Sequence, residues 1–413
     1  MRKLINITLR SIAIIFLLVI IAIASLSVSP IYNFEETAPF SGEKIYNPYR
    51  NIDTTIGWMK GNFHTHTKVD KGINECPFYP DVVYDEYTSY GYDIIAFSNH
   101  QQLTKHPYNP DLQINVYEHG YNFFKFHKLV FGCDKERKFD HLLPFLDSQK
   151  QFMIDLLRKD GDFVVFNHPD RTSGIGNKTM KRITGYSLIE GDAGFEESDK
   201  GRGTKLRRWD EALSAGIYSH NFIGDDNHNP KKTSRIARRA SFLNTPTKDY
   251  EQIKQTLLEG NFYTMRIPDY GDGDTAAKRD FNKRLPEIVS IGLKSDTIYI
   301  ELSEPAEYIK VTTTNGKTAD SVTNSEFLYF KMNENMPFAR FTARYENGIT
   351  IYSNAFARYD EESSEVNLTP FDYSGKHSIN IALTILFNLL LLSIICCSCV
   401  LIFKLIKHYP RIH

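Results

Sequence analysis

Four short segments set histidines and acids directly after apolar runs: Gly61-Asn-Phe-His64-Thr-His66-Thr, Ile94-Ile-Ala-Phe-Ser-Asn99-His100, Val164-Val-Phe-Asn-His168-Pro169 and Phe222-Ile-Gly-Asp-Asp226-Asn-His228. Imidazoles and carboxylates together suit divalent cations of the zinc, manganese and iron kind. Two histidines at i and i+2 on a strand share a face, so His64 and His66 can grip one ion, and Asp226 with His228 repeats that geometry with a carboxylate. His100 and His168 each end an independent apolar run. Glu118 lies just before the apolar run 126–131, from which His127 faces the same mouth. A carboxylate of that kind relieves the repulsion between cations about 3.5 to 4 Å apart. The expected chemistry is metal-dependent hydrolysis.

The elements that must position these groups follow from the apolar pattern. Over residues 58–265, apolar strands alternate with helical stretches at 81–90, 147–158 and 207–215, the rhythm of a parallel β/α barrel that collects its reactive groups at strand ends. Residues 266–285 read as a linker, and the acids of Asp269-Tyr-Gly-Asp-Gly-Asp274 lack calcium-loop spacing. Short alternating strands at 287–293, 297–302, 308–313, 327–331, 339–345 and 350–355 then predict a small all-β sandwich over 286–358. Residues 31–57 are a linker, and the acidic, polar 359–378 a stalk.

Both ends carry apolar segments, 12–28 and 379–403. Roughly 17 to 25 such residues cross a bilayer. Arg2, Lys3 and Arg10 precede the first, while Lys404, Lys407 and Arg411 follow the second. Positive-inside orientation therefore puts both termini, including the tail 404–413, in the cytoplasm and exports the middle of the chain. The expected location is the cell membrane, with the catalytic domain on the extracytoplasmic side. Residues 1–30 are either a transmembrane signal anchor or a signal peptide cut near Ala22-Ile-Ala24. With 49 basic and 50 acidic residues the net charge is −1, so nothing indicates general nucleic-acid binding and any phosphate recognition is local. Cys76 and Cys133 either pair or stay free; Cys396, Cys397 and Cys399 fill the last apolar segment or accept an acyl chain.

With these residues in place, the stretch from about Trp58 to Tyr263 resembles the polymerase and histidinol phosphatase (PHP) family of metal-dependent phosphoesterases. The resemblance implies an α/β fold, a distorted (β/α)7 TIM-like barrel, with the trailing sandwich similar to the accessory domain of some exported members. It implies one metal on His64, His66, Glu118 and Asp226, a second on Glu118, His127 and His168, and a third on His100 and His228 completed by Asp70. Two or three divalent ions (Mn, Zn or Fe) would serve a phosphorylated small molecule or nucleotide through a metal-bridging hydroxide. His100 or His228 would protonate the leaving oxygen. The chain departs from the family in the spacing around Asp70 and in Ser98-Asn99-His100, where an aspartate usually stands at Asn99. Arg171 is a candidate phosphate donor, as are Arg235, Arg238 and Arg239, and Glu190 ends another apolar run near the mouth. Two other readings fit the same residues: a non-catalytic metal-binding recognition module, and a hydrolase of C-N or C-O bonds.

Overall fold

Seven short strands carry the candidate ligands at or beyond their ends: β1 (Met59–Asn62), β2 (Ile94–Ile95), β3 (Val116–His119), β4 (Lys128–Phe131), β5 (Phe163–Phe166), β6 (Leu188–Ala193) and β7 (His220–Gly224). They are seen in a computed structural model that describes residues 2–72, 74–193, 206–271, 273–360, 370–371 and 376–407. All four residues of β5, Phe-Val-Val-Phe, are buried, as are all four of β4 and all five of β7. Both faces of these strands are covered, which is why they read as continuous apolar runs and not as alternating ones. Three helices, Pro80–Ser89, Asp147–Leu157 and Arg207–Ser214, fall where the sequence predicts them.

The strands do not form a closed parallel barrel. β3 to β7 make one five-stranded sheet in chain order, in which β3–β4 and β4–β5 run antiparallel and only β5–β6 and β6–β7 are parallel. β1 and β2 pair in parallel at the end of a second sheet of eleven strands. The two sheets meet through isolated parallel bridges, His100 with Glu118 and Thr65 with Asn227. Both bridges involve ligand candidates or their chain neighbours.

The second sheet continues into the C-terminal half through β8 (Arg239–Leu243), which pairs with β1, and β9 (Phe262–Arg266). The later strands are β10 (Ile288–Lys294), β11 (Thr297–Thr313), β12 (Lys317–Lys331), β13 (Phe338–Arg344), β14 (Thr350–Tyr352) and β15 (Phe356–Tyr359). β14 bonds to both β9 and β13, so these strands extend the sheet of the site and are not a sandwich closed on itself. The runs 297–302 and 308–313 belong to one long strand, β11. A single core runs from Tyr87 and Phe97 through Met265 to Ile298, Phe341 and Ile351. The stretch read as a linker carries the helix Thr275–Asn282, capped by Asp274; its Asn282 holds the buried Lys60 ammonium through Oδ1 at 2.8 Å.

The helices Arg2–Ser25 and Ile381–Lys407 are long and apolar enough to cross a membrane by length and composition, and they pack against each other. Tyr32–Phe34 pairs antiparallel with His377–Ile379 directly beyond them. Most of the expected stalk, 361–369 and 372–375, and the tail from 408 lie outside the described residues.

Arg340 on β13 is 1 % exposed and meets Asp210 of the helix Arg207–Ser214 through two parallel bonds of 2.8 and 2.9 Å. Removing one partner of such a pair strands a buried charge. Asp210→Ala should therefore cost about 3–5 kcal/mol, read as a lowered urea midpoint with an unchanged slope.

Candidate metal centre

Glu118 is the hub. Its carboxylate is 1 % exposed, and one oxygen faces His64 Nε2, His66 Nε2 and His100 Nε2, each at 3.4 Å. The other oxygen faces His127 Nδ1 at 3.0 Å and His168 Nε2 at 3.2 Å, and accepts a bond from Asn167 Nδ2 at 3.0 Å. Asp226 Oδ1 lies 3.3 Å from the Nε2 atoms of both His64 and His66. Several rings at 3.3 to 3.4 Å from one oxygen cannot all be well-formed hydrogen bonds. Three overlapping donor sets converge to within 4.8 Å: His64, His66, Glu118 and Asp226; His100, Glu118 and His127; and His66, His100 and His228. Among the described residues, buried His64 Nε2, His100 Nδ1 and His168 Nδ1 have no hydrogen-bond partner. This donor set fits divalent cations.

Local backbone explains how so many rings reach one point. His168 and Asp226 sit at φ 28° and 48°, with Gln101 at 53° and Lys125 at 56° around them. Left-handed non-glycine residues carry strain that the surrounding structure must hold in place. Gly224 lets β7 approach His64, because a Cβ there would lie 2.5 Å from the His64 Cβ. Gly120, at φ +148°, passes under the His127 ring.

Electrostatics divide the rings. Burial pushes His127 down to about 4, and burial with neighbouring His228 lowers His66, so both are neutral and ready to donate a lone pair. Burial also opposes charge on His64, His100 and His228, yet nearby carboxylates raise all three: Glu190 first for His64, Glu118 for His100, Glu75 for His228. Burial would raise Glu118 and Asp226, but the surrounding imidazoles hold both well below the usual carboxylate range.

The acid at the outer set is Glu75, where the sequence points to Asp70. Glu75 Oε2 lies 3.1 Å from His100 Nε2 and 2.9 Å from His228 Nε2, whereas Asp70 is exposed and outside these sets. Glu75 follows no apolar run, so its only sequence signal was being the other acid of the same loop. Glu190 does not reach the converging atoms. It takes the far ring nitrogen of His64, Nδ1, at 2.8 Å and accepts from the His168 backbone N at 3.1 Å, which fixes the His64 tautomer and turns Nε2 inward. Asn99 accepts from Thr67 N and donates to the hydroxyls of Thr67 and Thr104. An aspartate there could meet those two hydroxyls only as an acceptor. His119, His141 and His220 each bond a backbone carbonyl, those of Phe139, Leu26 and Leu258.

Above the cluster opens a cavity of about 390 Å³ lined by Glu75, His100, Glu118, His127, His168, Asp226 and His228, with Lys125, Arg171 and Arg235 as its cations. Arg171 Nη1 holds the outer oxygen of Asp226 at 2.7 Å. Of the sequence-named arginines, Arg238 and Arg239 lie away from this cavity; Arg239 pairs with buried Asp192 at 3.0 Å.

No family model matches the chain, and no curated protein sequence does. Among solved structures, the chain is similar to a two-domain protein from Bacteroides vulgatus containing a predicted PHP-like metal-dependent phosphoesterase, at 13 % identity and a TM-score of 0.38 over 82 % of this chain and 96 % of that one. The chemistry rests on the site's own residues.

Glu118→Gln should lower the number of ions bound per chain, counted by elemental analysis, because an amide cannot offset two cations. Glu190→Gln should leave that number intact but weaken affinity about 10- to 100-fold. Cations compete with protons on His64, His100 and His228, so affinity should fall as pH drops through the imidazole range. Calorimetry in buffers of different ionisation enthalpy should register proton release on binding; its absence would mean the rings are not ligands.

Proposed function

We propose that this chain is a membrane-anchored, exported metal-dependent phosphoesterase of the PHP type, with β1 to β7 as a distorted seven-stranded barrel whose two seams are the bridges at His100–Glu118 and Thr65–Asn227. One observation carries the reading: a buried imidazole and carboxylate cluster centred on Glu118 lies at the floor of a cavity whose cationic side chains are Lys125, Arg171 and Arg235. The acidic floor suits cations, and the basic groups suit an anionic substrate. A phosphate ester brings the negative charge those three cations suit, and a carbonyl ester or amide does not.

His64, His66, Glu118 and Asp226 would hold one ion, Glu118 with His127 and His168 a second, and His100 with His228 and Glu75 a third. Bound divalent cations lower the pKa of water towards neutrality and stabilise charge on phosphoryl oxygens. Arg171 is held against Asp226 and lines the cavity, where its positive charge suits non-bridging phosphate oxygens. Glu75 Oε2 meets the Nε2 atoms of both His100 and His228 at the cavity wall, as a shared carboxylate of that third ion would. A ring that serves as a ligand through Nε2 has no proton to give there, so His100 and His228 can protonate a leaving oxygen only when spared from that role. Arg2, Lys3 and Arg10 at the start of the first apolar helix, and Lys404 and Lys407 at the end of the second, support termini in the cytoplasm and a site on the other side.

The test is a screen of full-length, metal-loaded protein against phosphate esters, carboxylate esters and amides. Turnover of phosphate esters alone is expected, abolished by a chelator and restored by added metal. Arg171→Ala should lower kcat/KM about 10- to 100-fold, the loss of a charged hydrogen bond. Bound metal with no phosphate turnover would retire the proposal.

A further inference from the structure

The route from the membrane helices to the cavity is short. The helix Arg2–Ser25 ends at Ser25, and the very next carbonyls are held by the globular part: Leu26 O by His141 Nδ1 at 2.6 Å and Ser27 O by Gln149 Nε2 at 3.2 Å. Tyr32 N donates to Ser148 Oγ at 3.0 Å, and Tyr32 OH and His377 Nε2 both meet Asp155 Oδ2 at 2.9 Å. Asn388 of the second helix donates to Ser29 O at 3.0 Å, and Thr384 Oγ1 accepts from Ile31 N at 2.9 Å. The segment 140–155 is therefore docked where the chain leaves the bilayer. An adjoining turn, 121–125, is tied to it: Phe123 N donates to Leu142 O, Asp140 accepts from Tyr121 N and Asn122 Nδ2, and Phe124 packs edge-on against Phe145 at 5.1 Å. That same turn ends in Lys125 of the cavity, and its Tyr121 hydroxyl donates to the His100 carbonyl.

Between helix exit and cavity, large apolar side chains are open to solvent. Phe123 is 73 % exposed, Phe145 64 % and Leu146 39 %, beside Val28 at 47 % in the exit itself. Exposed aromatics at the level of a membrane exit suit the interfacial zone, where they bury area in lipid. Resting on the phosphoesterase reading, we infer that Phe123, Phe145 and Leu146 dip into the bilayer beside the anchor and that the substrate is a phosphate ester carried by a lipid of the same leaflet. A lipid headgroup there reaches Lys125 first and the Glu118 cluster next. One water is consumed, the P–O bond to the lipid oxygen breaks, phosphate is released, and the lipid leaves as an alcohol that carries a proton from that water.

The occupant is lipid because Phe145 and Leu146 lie in the chain between His141 and Gln149, which hold the carbonyls directly after the first helix, while the adjoining Ser148 holds Tyr32 of the ladder to His377–Ile379. The test uses full-length protein in phosphatidylcholine vesicles and has two readouts. In the first, Phe123→Trp and Phe145→Trp reporters should be quenched by lipids brominated near the glycerol, while Tyr329→Trp on the distant β12 should not. In the second, metal-loaded protein is given phosphatidic acid in the vesicles or glycerol phosphate in solution. The Phe123→Ser/Phe145→Ser double variant should lose about tenfold or more on phosphatidic acid and keep its rate on glycerol phosphate. Unquenched reporters, or a double variant that handles both substrates like the parent, would overturn the inference and leave the phosphoesterase reading standing. Quenched reporters with bound metal and no turnover of either ester would sink the phosphoesterase reading, and the substrate assignment with it.

Discussion

A buried carboxylate ringed by imidazoles is the constraint on which the rest depends. An isolated anion with 1 % exposure would be strongly disfavoured, and Glu118 is tolerated because His64, His66, His100, His127 and His168 surround it. Those rings come from four strand ends, His64 and His66 sharing one. Bringing them to one point breaks the strand ladder where β2 meets β3 and where β7 meets β1, leaving single bridges at His100–Glu118 and Thr65–Asn227. The same convergence puts His168 and Asp226 at positive φ. Open seams and strained backbone are two consequences of one requirement, that Glu118 be encircled. Extending either ladder by ordinary pairing would pull ligand residues into regular strand and away from the hub.

The convergence itself was legible in the sequence because most ligand candidates end, adjoin or lie in an apolar run, and buried strands announce themselves by composition. His64, His66, His100, Glu118, His127, His168, Asp226 and His228 all come together. Glu75 was not legible, since it sits in an irregular loop where no period constrains which acid points inward, and Asp70 was an equally good reading of the same loop. The role of Glu190 needed the third dimension: only the 2.8 Å contact to His64 Nδ1 distinguishes an orienting acid from a ligand. Lys125 carried no signal, being a lone lysine between two aromatics.

Fold class was legible more coarsely. Alternating strands and helices gave the α/β character, but strand direction is not encoded in composition, and a buried antiparallel strand such as β4 reads like a parallel one. The later strands looked like a separate sandwich because their alternation is regular and a Gly/Asp-rich stretch precedes them. Pairing of β9 with β14 is a non-local contact that no local pattern reports. The buried Arg340–Asp210 pair, from β13 to a helix of the earlier part, is equally invisible in sequence and reinforces the same join.

The two apolar helices acquire meaning from what they touch. A catalytic domain on a long polar tether samples many orientations, so the height of its site above the bilayer is undefined. Here His141 and Gln149 take the carbonyls immediately after the first helix, and the second helix is tied back through Asn388 and Thr384. His141 is fully buried, and loss of Leu26 from the chain would leave its Nδ1 without that partner inside the protein. Cleavage near Ala22-Ile-Ala24 would spare this contact but remove the helix that packs beside Ile381–Lys407. The first helix is thus joined to the rest of the described structure both by its packing on the second helix and by the carbonyls that directly follow it. Two apolar helices, the strand pair Tyr32–Phe34 with His377–Ile379 and the segment 140–155 hold one another in a single arrangement.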